Sequence, residues 1–320
     1  MLTEVGKTLQ VDESIVSNLL RVLGMIQKQG HWVPYKLKPR DVEWRILTSS
    51  NFKVVKSTKF VDRCSDGREP YSARSRHRGA LLIFSFIEFE YNIEKYRQGA
   101  EVDCDNLKNL FNEIGFDKPT VYTNLKKAEM LHTITALDQM DALVNVDCVF
   151  VVVSSHGYER RATSDTDIRC SDGGLVSSYA IIERFNNHRC PKLKNIPKIF
   201  IFQICRGTNM DLLSPPIHMF HPNDRVEADG SSIQVPLYSD ILIVHSTLPG
   251  FSSYRDQLLG SFYIQALCEV FAAHAHDNHI KDLFELVDEK LKEKFGVQTS
   301  SVDSWGFNKK LYLHPGLFED

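Results

Sequence analysis

Two nearly continuous apolar runs of strand length most constrain how this 320-residue chain can fold. They cover residues 146–153 and 197–204 and are rich in valine, isoleucine and phenylalanine. Both are far shorter than the roughly 20 apolar residues of a membrane span, and apolar side chains on both faces are typical of strands buried inside a parallel sheet. We therefore predict two buried strands that could be parallel neighbours.

Each run is followed by a residue that can do chemistry. The first ends in Ser154-Ser155-His156-Gly157, and the second delivers Cys205. Ligands meet parallel sheets at the carboxyl ends of strands, and a cysteine needs an imidazole to be a good nucleophile at neutral pH. Alone, Cys205 would be a core thiol and His156 a loop histidine. Together, at two strand ends, they are interpreted as a nucleophile and its base.

The rest of the chain from residue 78 alternates between strand and helix signals. Apolar residues that recur every three or four positions favour helices, and short apolar runs favour strands. This alternation predicts an α/β sandwich with a mainly parallel sheet. The predicted strands are 80–86, 120–123, 240–246 and 307–313, and the predicted helices are 102–114, 125–140, 178–186, 261–275 and 279–295.

Composition narrows the class of protein. The apolar and charged contents, 42% and 25%, are those of an ordinary globular protein. The seven cysteines are an odd number without C-x-x-C pairs, which predicts free thiols rather than disulfides or zinc ligands. No signal-peptide pattern is present. We therefore expect a cytoplasmic protein that needs no metal or cofactor.

Residues 1–60 have a different character, with ten Lys and Arg against five Asp and Glu. Helical spacing predicts short helices at 3–9 and 13–23, and residues 25–43 resemble the end of the second helix-turn-helix and the linker of mariner-type transposases. We interpret 1–60 as a transposase-derived segment and 61–77 as a turn-rich linker. A single such module seldom binds DNA with specific affinity, so DNA binding is a minor alternative.

The motif around the cysteine resembles that of a known family. Gln203-Ile204-Cys205-Arg206-Gly207 departs from the caspase signature Q-A-C-[RQG]-G only at Ile204, and His156 lies 49 residues upstream. Residues 78–320 thus resemble the caspases, cysteine endopeptidases that cut after aspartate. The resemblance implies a three-layer α/β sandwich with a six-stranded, mainly parallel sheet, preceded here by a small helical segment. It also implies a large subunit at 78–229 and a small subunit at 230–320.

The resemblance assigns roles to further residues. The backbone N–H groups of Gly157 and Cys205 would hold the oxyanion. Arg97, in Arg97-Gln98-Gly99-Ala100-Glu101-Val102-Asp103, and Arg255, in Ser253-Tyr254-Arg255, would clasp a substrate carboxylate in the S1 pocket together with Gln203. The pocket would select Asp, with Glu as a second substrate residue. Ser252 and Tyr254 would line the S2 and S4 region.

Maturation and partners follow from the same resemblance. Asp229-Gly230 would be the cleavage site between the subunits, and Asp66-Gly67 is a second candidate, although Asp-Gly pairs are also common turns. The C-terminal half resembles insect initiator caspases. This resemblance implies a homodimer pairing along the last strand at 309–313, protein substrates with an acidic P1 residue, and caspase partners or inhibitors. Because no recruitment domain of the CARD type is recognisable, we do not expect adaptor binding. The alternative function is a catalytically silent partner of an active caspase.

Overall fold

The computed structural model of the chain describes residues 25–28, 31–34, 53–116, 119–137, 140–160, 165–207 and 236–319. The chain forms two compact units, Met1–Ser50 and Asn51–Asp320. In the first unit, β1 (Met25–Lys28) and β2 (His31–Pro34) pair as an antiparallel hairpin. The resemblance of residues 25–43 to a transposase helix-turn-helix and linker is therefore not borne out. The helices predicted at 3–9 and 13–23 lie outside the described residues.

The second unit alternates strands and helices along the sequence. In chain order its elements are β3 (Ala80–Ser85), α1 (Ala100–Ile114), β4 (Thr120–Thr123), α2 (Lys127–Thr135), β5 (Val149–Ser154), β6 (Gly157–Arg160), β7 (Asp165–Arg169), β8 (Leu175–Ser177), α3 (Ser178–Glu183), β9 (Lys198–Gln203), β10 (Ile241–His245), β11 (Arg255–Asp256), β12 (Gly260–Ser261), α4 (Phe262–His274), α5 (Ile280–Lys294) and β13 (Ser301–Trp305).

The central sheet has six strands in the order β13-β10-β9-β5-β3-β4. Every neighbouring pair is parallel except β13 with β10. The strands β3, β5, β9 and β10 are buried along their whole length, which explains their continuous apolar sequences. The predicted α/β class with a mainly parallel six-stranded sheet is confirmed.

Helices cover both faces of this sheet and make it the middle of three layers. Residues such as Phe150 and Ile199 point towards one apolar cluster that includes α1, α4 and α5. Their neighbours Val149 and Phe200 point towards a second cluster that includes α2 and α3. Alternate side chains of one strand must enter opposite faces, so both clusters depend on the same strands. No helix among the described residues is long and apolar enough to cross a membrane.

The last predicted strand is wrong. The sixth strand is β13 at Ser301–Trp305, whereas residues 307–313 form no strand. Phe307, Leu311 and Leu313 are buried because they enter the apolar cluster beneath α4 and α5, and this produced the strand-like pattern. The edge strand β13 is polar and largely exposed, so it gave no apolar signal. The dimer contact expected at 309–313 therefore has no strand to form it.

Residues 53–77, which include the predicted linker 61–77, pack against the rest of the second unit. Val55 N–H donates to Ala272 O, and Tyr71 N–H donates to Lys310 O, both as backbone hydrogen bonds. Val54 and Tyr71 are buried in the same apolar cluster as α4. The boundaries predicted at residues 60 and 77 stay predictions, but 53–77 shares the core of the residues that follow it.

His314 fastens this segment to the C-terminal chain. Its Nε2 accepts a hydrogen bond from Val61 N–H at 3.1 Å, and its Nδ1 donates to Ala73 O at 3.3 Å. Only a neutral imidazole can accept and donate in this way. Burial lowers the pKa of His314, Arg78 and Arg74 lower it further, and the Ala73 hydrogen bond and Asp62 act in the opposite direction.

We predict that mild acid loosens the 53–77 segment. Because the pKa of His314 is lower in the folded chain, the detached state takes up the proton first. The stabilisation by His314 is complete above about pH 6.5 and is lost as the pH falls below that value. Hydrogen exchange of 53–77, corrected for intrinsic rates, should show faster exchange in acid. His314→Gln, which can still accept the Val61 bond but does not titrate, should remove this pH dependence, and equal acid sensitivity in both proteins would contradict the prediction.

Candidate active site

The register of two central strands brings the predicted nucleophile and base to one edge of the sheet. In the parallel pair β5 and β9, Ser154 lies opposite Gln203. His156 and Cys205 each follow two residues later, so their backbones leave the sheet at the same level. Both side chains are half-buried. The site therefore lies at the carboxyl ends of the strands, as the sequence predicted.

Gly157 allows the two strand ends to come this close. A Cβ atom at Gly157 would lie 2.3 Å from Cys205 O and 2.9 Å from Ile204 Cβ, and real Cβ atoms essentially never make contacts below 3.0 Å. No side chain fits between the two backbones. The glycine next to the histidine is thus required by the close approach of His156 and Cys205.

The ring of His156 is held on one side by a backbone carbonyl. Its Nε2 lies 3.1 Å from Lys95 O, and Phe89 packs against the ring at 5.3 Å. A carbonyl can only accept, so Nε2 carries the hydrogen, and in the neutral ring Nδ1 is the proton acceptor. Burial lowers the pKa of His156, which favours this neutral, basic form at neutral pH.

Cys205 differs from the other cysteines in exposure. It is half-buried, whereas the other six, Cys64, Cys104, Cys148, Cys170, Cys190 and Cys268, are buried. Its Sγ accepts from Ser253 N–H at 3.4 Å and lies 3.7 Å from Ser253 O. Cys205 is thus the one thiol in this set that a substrate could reach.

Two guanidinium groups lie beside the cysteine. Arg97 is 2% exposed, and it donates to Phe86 O at 2.7 Å and to Ser154 Oγ at 3.0 Å. Arg255, which is half-buried, donates from Nε to Gln98 O at 2.9 Å. Neither arginine has a carboxylate partner among these hydrogen bonds. The charges of the two predicted S1 arginines act on each other, and both side chains hold donors that a carboxylate could use.

The charge balance of this pocket favours an anion. Burial, together with the positive charge of Arg255, lowers the pKa of Arg97 to about 9. Burial also lowers the pKa of Arg255. Asp103 interacts with both arginines; it is buried, accepts two hydrogen bonds from Ser261, and has its pKa raised to about 6 by burial. The two desolvated cations interact with the weakened Asp103 and, at Arg255, also with the exposed Glu101. This balance favours binding of a further carboxylate, that of a ligand.

Gln203 completes the predicted S1 group. Its side chain is buried, and its Nε2 donates to Ser253 Oγ at 2.7 Å. Its Oε1 is buried without a hydrogen-bond partner among the described residues. Such an unpaired amide oxygen is costly unless a ligand or a rotation of the amide satisfies it.

The other predicted subsite residues lie beside this pocket. Ser252 Oγ donates to Gly207 O at 3.2 Å, which links the loop before β11 to the loop after the cysteine. Tyr254 is 37% exposed, and its ring lies 6.2 Å from that of Phe262 in a stacked arrangement. Tyr254 therefore leaves part of its ring exposed in the predicted S2 and S4 region.

Of the two predicted cleavage sites, Asp229 and Asp66, only Asp66 lies among the described residues. Asp229 lies in 208–235, outside the described residues. Asp66 lies in a tight turn, where its carboxylate accepts from Arg68 Nε at 3.0 Å and from Arg68 N–H at 3.1 Å. The hydrogen bond with Arg68 lowers the pKa of Asp66. Asp66 is therefore in a closed turn rather than an extended segment.

Sequence reasoning missed three contributors to the site. Lys95 acts through its carbonyl, so its side chain gave no signal. Ser253 contacts both Cys205 and Gln203, but serine is too common to single out. Asp103 was inside the Arg97 motif, and its burial could have been inferred from its place on the apolar face of α1. No group of three or more His, Cys, Asp or Glu suited to a metal ion occurs in the part of the chain that the structure describes.

Comparisons with known proteins agree with this geometry. The caspase domain model matches residues 78–312. Caspase Dronc of Drosophila melanogaster is 32% identical over 288 residues, covering 84% of this chain, and the match spans 63% of the length of Dronc, which is less than two thirds. Caspase-1 of Spodoptera frugiperda is 33% identical over 73% of this chain and 73% of its own length.

Solved structures give the same result. The crystal structure of the Drosophila initiator caspase Dronc superimposes with a TM-score of 0.66 at 27% identity, covering 83% of this chain and 95% of that one. The crystal structure of Spodoptera frugiperda caspase-1 gives a TM-score of 0.62 at 28% identity, with coverages of 79% and 97%. The domain match, the relatives and the arrangement of the site lead to one conclusion: this chain belongs to the caspase family.

Proposed function

We propose that the protein is a cysteine endopeptidase that cuts proteins after aspartate and serves as an initiator-type caspase in apoptosis. The observation that carries this proposal is the pairing of Ser154 with Gln203, which sets His156 and Cys205 side by side next to two desolvated arginines. The similarity to Dronc, described as an initiator caspase, supports the initiator assignment.

The chemistry follows from the groups present. His156 Nδ1 takes the proton of Cys205, and the thiolate attacks the scissile carbonyl carbon. The N–H groups of Gly157 and Cys205 stabilise the oxyanion, a contribution worth about 3 kcal/mol per donor in other enzymes. His156 then returns the proton to the leaving amine, which departs and leaves a thioester. Water attacks the thioester and is deprotonated by His156, and the acid product leaves with the thiol restored.

Specificity for aspartate follows from the pocket beside the cysteine. Planar guanidinium forks fit carboxylate oxygens in pairs, and Arg97 and Arg255 carry charges that no neighbouring acid fully balances. Rotating the Gln203 amide would turn its Nε2 towards the ligand. Glutamate has a side chain one methylene group longer, so its carboxylate would reach the same donors only if the substrate backbone shifted. We therefore propose Asp as the main substrate residue and Glu as a weaker one.

We propose that the active form is a homodimer that pairs along β13. This strand is the edge of the central sheet, and its burial is low, with Val302 40% exposed. An edge strand presents unpaired N–H and C=O groups, to which a second copy can add. This dimer contact at Ser301–Trp305 replaces the one expected from the sequence at 309–313.

Removal of the thiol should abolish peptide hydrolysis. Wild type should cut a reporter peptide with P1 Asp, should cut the Glu peptide more slowly and should leave the Asn peptide intact, while Cys205→Ala should be inactive on all three. Arg255→Lys keeps the charge but loses the fork, so kcat/KM for the Asp peptide should fall by roughly 10 to 100-fold. Equal hydrolysis by wild type and Cys205→Ala would reject the protease, and a folded wild type without hydrolysis would favour the silent partner.

A methyl group at Gly157 should separate the two catalytic strand ends. Gly157→Ala places its Cβ against Cys205 O, so kcat should fall by about 10²-fold even where the protein stays folded. Gly174→Ala is a matched control because its Cβ would lie 2.5 Å from Lys127 Cβ, outside the site. Both variants should lower the melting temperature, but only Gly157→Ala should lower kcat. A similar loss of kcat in both would contradict this explanation.

Maturation should depend on Asp229 before Asp66. The wild-type chain should yield a fragment beginning at Gly230, and Asp229→Ala should not, as followed by mass spectrometry of the products. Cleavage after Asp66 requires its hydrogen-bonded turn to open, so it should be slower, and Asp66→Ala should leave the first cut unchanged. Fragments that persist in Asp229→Ala would reject that site. Cys205→Ala distinguishes self-cleavage from contaminating proteases.

A further inference from the structure

The loop between β3 and α1 supplies the carbonyl that contacts His156. Lys95 O lies 3.1 Å from His156 Nε2. Because this contact fixes which ring nitrogen carries the hydrogen, a shift of the loop would change both the position and the tautomer of the ring. The loop therefore has to be held in place, although it contains no strand and only a short 3-10 helix, Glu90–Asn92.

Two residues of this loop have backbone conformations that most residues avoid. Tyr91 and Asn92 both have φ of 54°, in the left-handed region. Asparagine adopts this region fairly often, whereas a tyrosine there is strained. Tyr91 is also 92% exposed, so its side chain gains no burial from the arrangement. Contacts from outside the loop must hold it.

Glu94, the neighbour of Lys95, makes such contacts. Its Oε1 accepts from Arg169 Nε at 3.1 Å and from the hydroxyl of Tyr158. The side chains of Glu94 and Arg169 are only 18% and 24% exposed, so the ion pair is partly shielded from water. Arg169 also lies over the ring of Tyr158, 4.7 Å from its centroid. We call these three residues the Glu94 clamp.

One partner of Glu94 is close to His156 in sequence, and the other is hydrogen-bonded to the His156 backbone. Tyr158 lies on β6, two residues after His156. Arg169 on β7 donates its backbone N–H to His156 O at 3.0 Å, while its Nη1 donates to Gly173 O at 2.8 Å. Arg169 thus holds the backbone of His156 with its main chain and the neighbour of Lys95 with its side chain.

We propose that Glu94 is a positioning residue that, through Arg169 and Tyr158, fixes Lys95 O against His156 Nε2. This inference rests on the proposed function only in treating His156 as the catalytic base. The clamp joins the two sides of one hydrogen bond, since the carbonyl comes from the loop and the ring from the end of β5. Its loss frees the loop to relax away from the ring.

The charge of Glu94 also acts on the ring. Among the charged groups around His156, Glu94 raises the pKa of the imidazole, and Arg97 and Arg255 lower it. Burial lowers this pKa most, and the hydrogen bond to Lys95 O opposes that effect. Phe89 contributes an uncharged ring to the same surroundings. The carboxylate therefore counteracts both arginines at the imidazole, and removing it should make His156 harder to protonate.

The test compares Glu94→Gln with Glu90→Gln. Glu90 belongs to the same loop and pairs with Lys126 at 2.8 Å, so the control removes the same charge from an ion pair away from His156. The pKa of His156 is measured by NMR on histidine-labelled protein in a Cys205→Ala background, and its signal is identified by its loss in His156→Gln. We expect Glu94→Gln to lower this pKa and Glu90→Gln to leave it unchanged. Equal values in both variants would overturn the proposal.

Kinetics on the otherwise wild-type enzyme provide the second readout. Glu94→Gln should lower kcat for the acidic peptide by about tenfold with little change in KM, a fraction of the roughly 10²- to 10⁴-fold that acid–base catalysis contributes. Arg169→Met should behave similarly, and Arg169→Lys should recover part of the rate. A rise in KM alone, or an equal loss in Glu90→Gln, would overturn the positioning role. If wild type does not hydrolyse the peptide, the proposed function fails, while the NMR titration still decides the clamp.

Discussion

The parallel pairing of β5 with β9 is the constraint on which the rest of the site depends. A one-residue slip would send the alternating side chains of a strand to the opposite face. Phe200 and Ile201 enter different apolar clusters, so burial on both faces fixes the register. The same register aligns Ser154 with Gln203 and hence His156 with Cys205. Apolar burial in the two clusters therefore fixes the relative position of His156 and Cys205.

The remaining geometry consists of loops tied to this frame by backbone groups. Arg97 donates to Phe86 O, Arg255 to Gln98 O, and His156 contacts Lys95 O. Each of these bonds joins a functional side chain to the loop that leaves β3. That loop is thus shared by the proposed S1 pocket and the proposed catalytic histidine. A change in its position would alter substrate binding and catalysis together, which is why its anchors matter.

The sequence was sufficient for most of the frame and for the chemistry that side chains display. Strands with two buried faces have apolar sequences, so β5 and β9 could be predicted with the cysteine and histidine at their ends. The edge strand β13 could not, because its polar residues resemble a loop, while 307–313 resembled a strand although its apolar residues pack beneath helices. Lys95 could not be found either, since a carbonyl is common to every residue. The local pattern of apolar residues indicates which side chains are buried, but it does not indicate which backbone groups form hydrogen bonds with each other.

The two arginines of the proposed S1 pocket would interact with two negative groups in the course of the proposed reaction. The charge of a Cys205 thiolate would raise the pKa of both Arg97 and Arg255, so the thiolate and the guanidiniums attract each other. A substrate carboxylate bound to the same pair would offset part of that attraction. Binding of an aspartate would thereby leave the thiolate less stabilised at the moment when the scissile carbonyl arrives. A neutral residue of the same size would fill the pocket without this effect, so charge at P1 would contribute to the rate of attack as well as to binding.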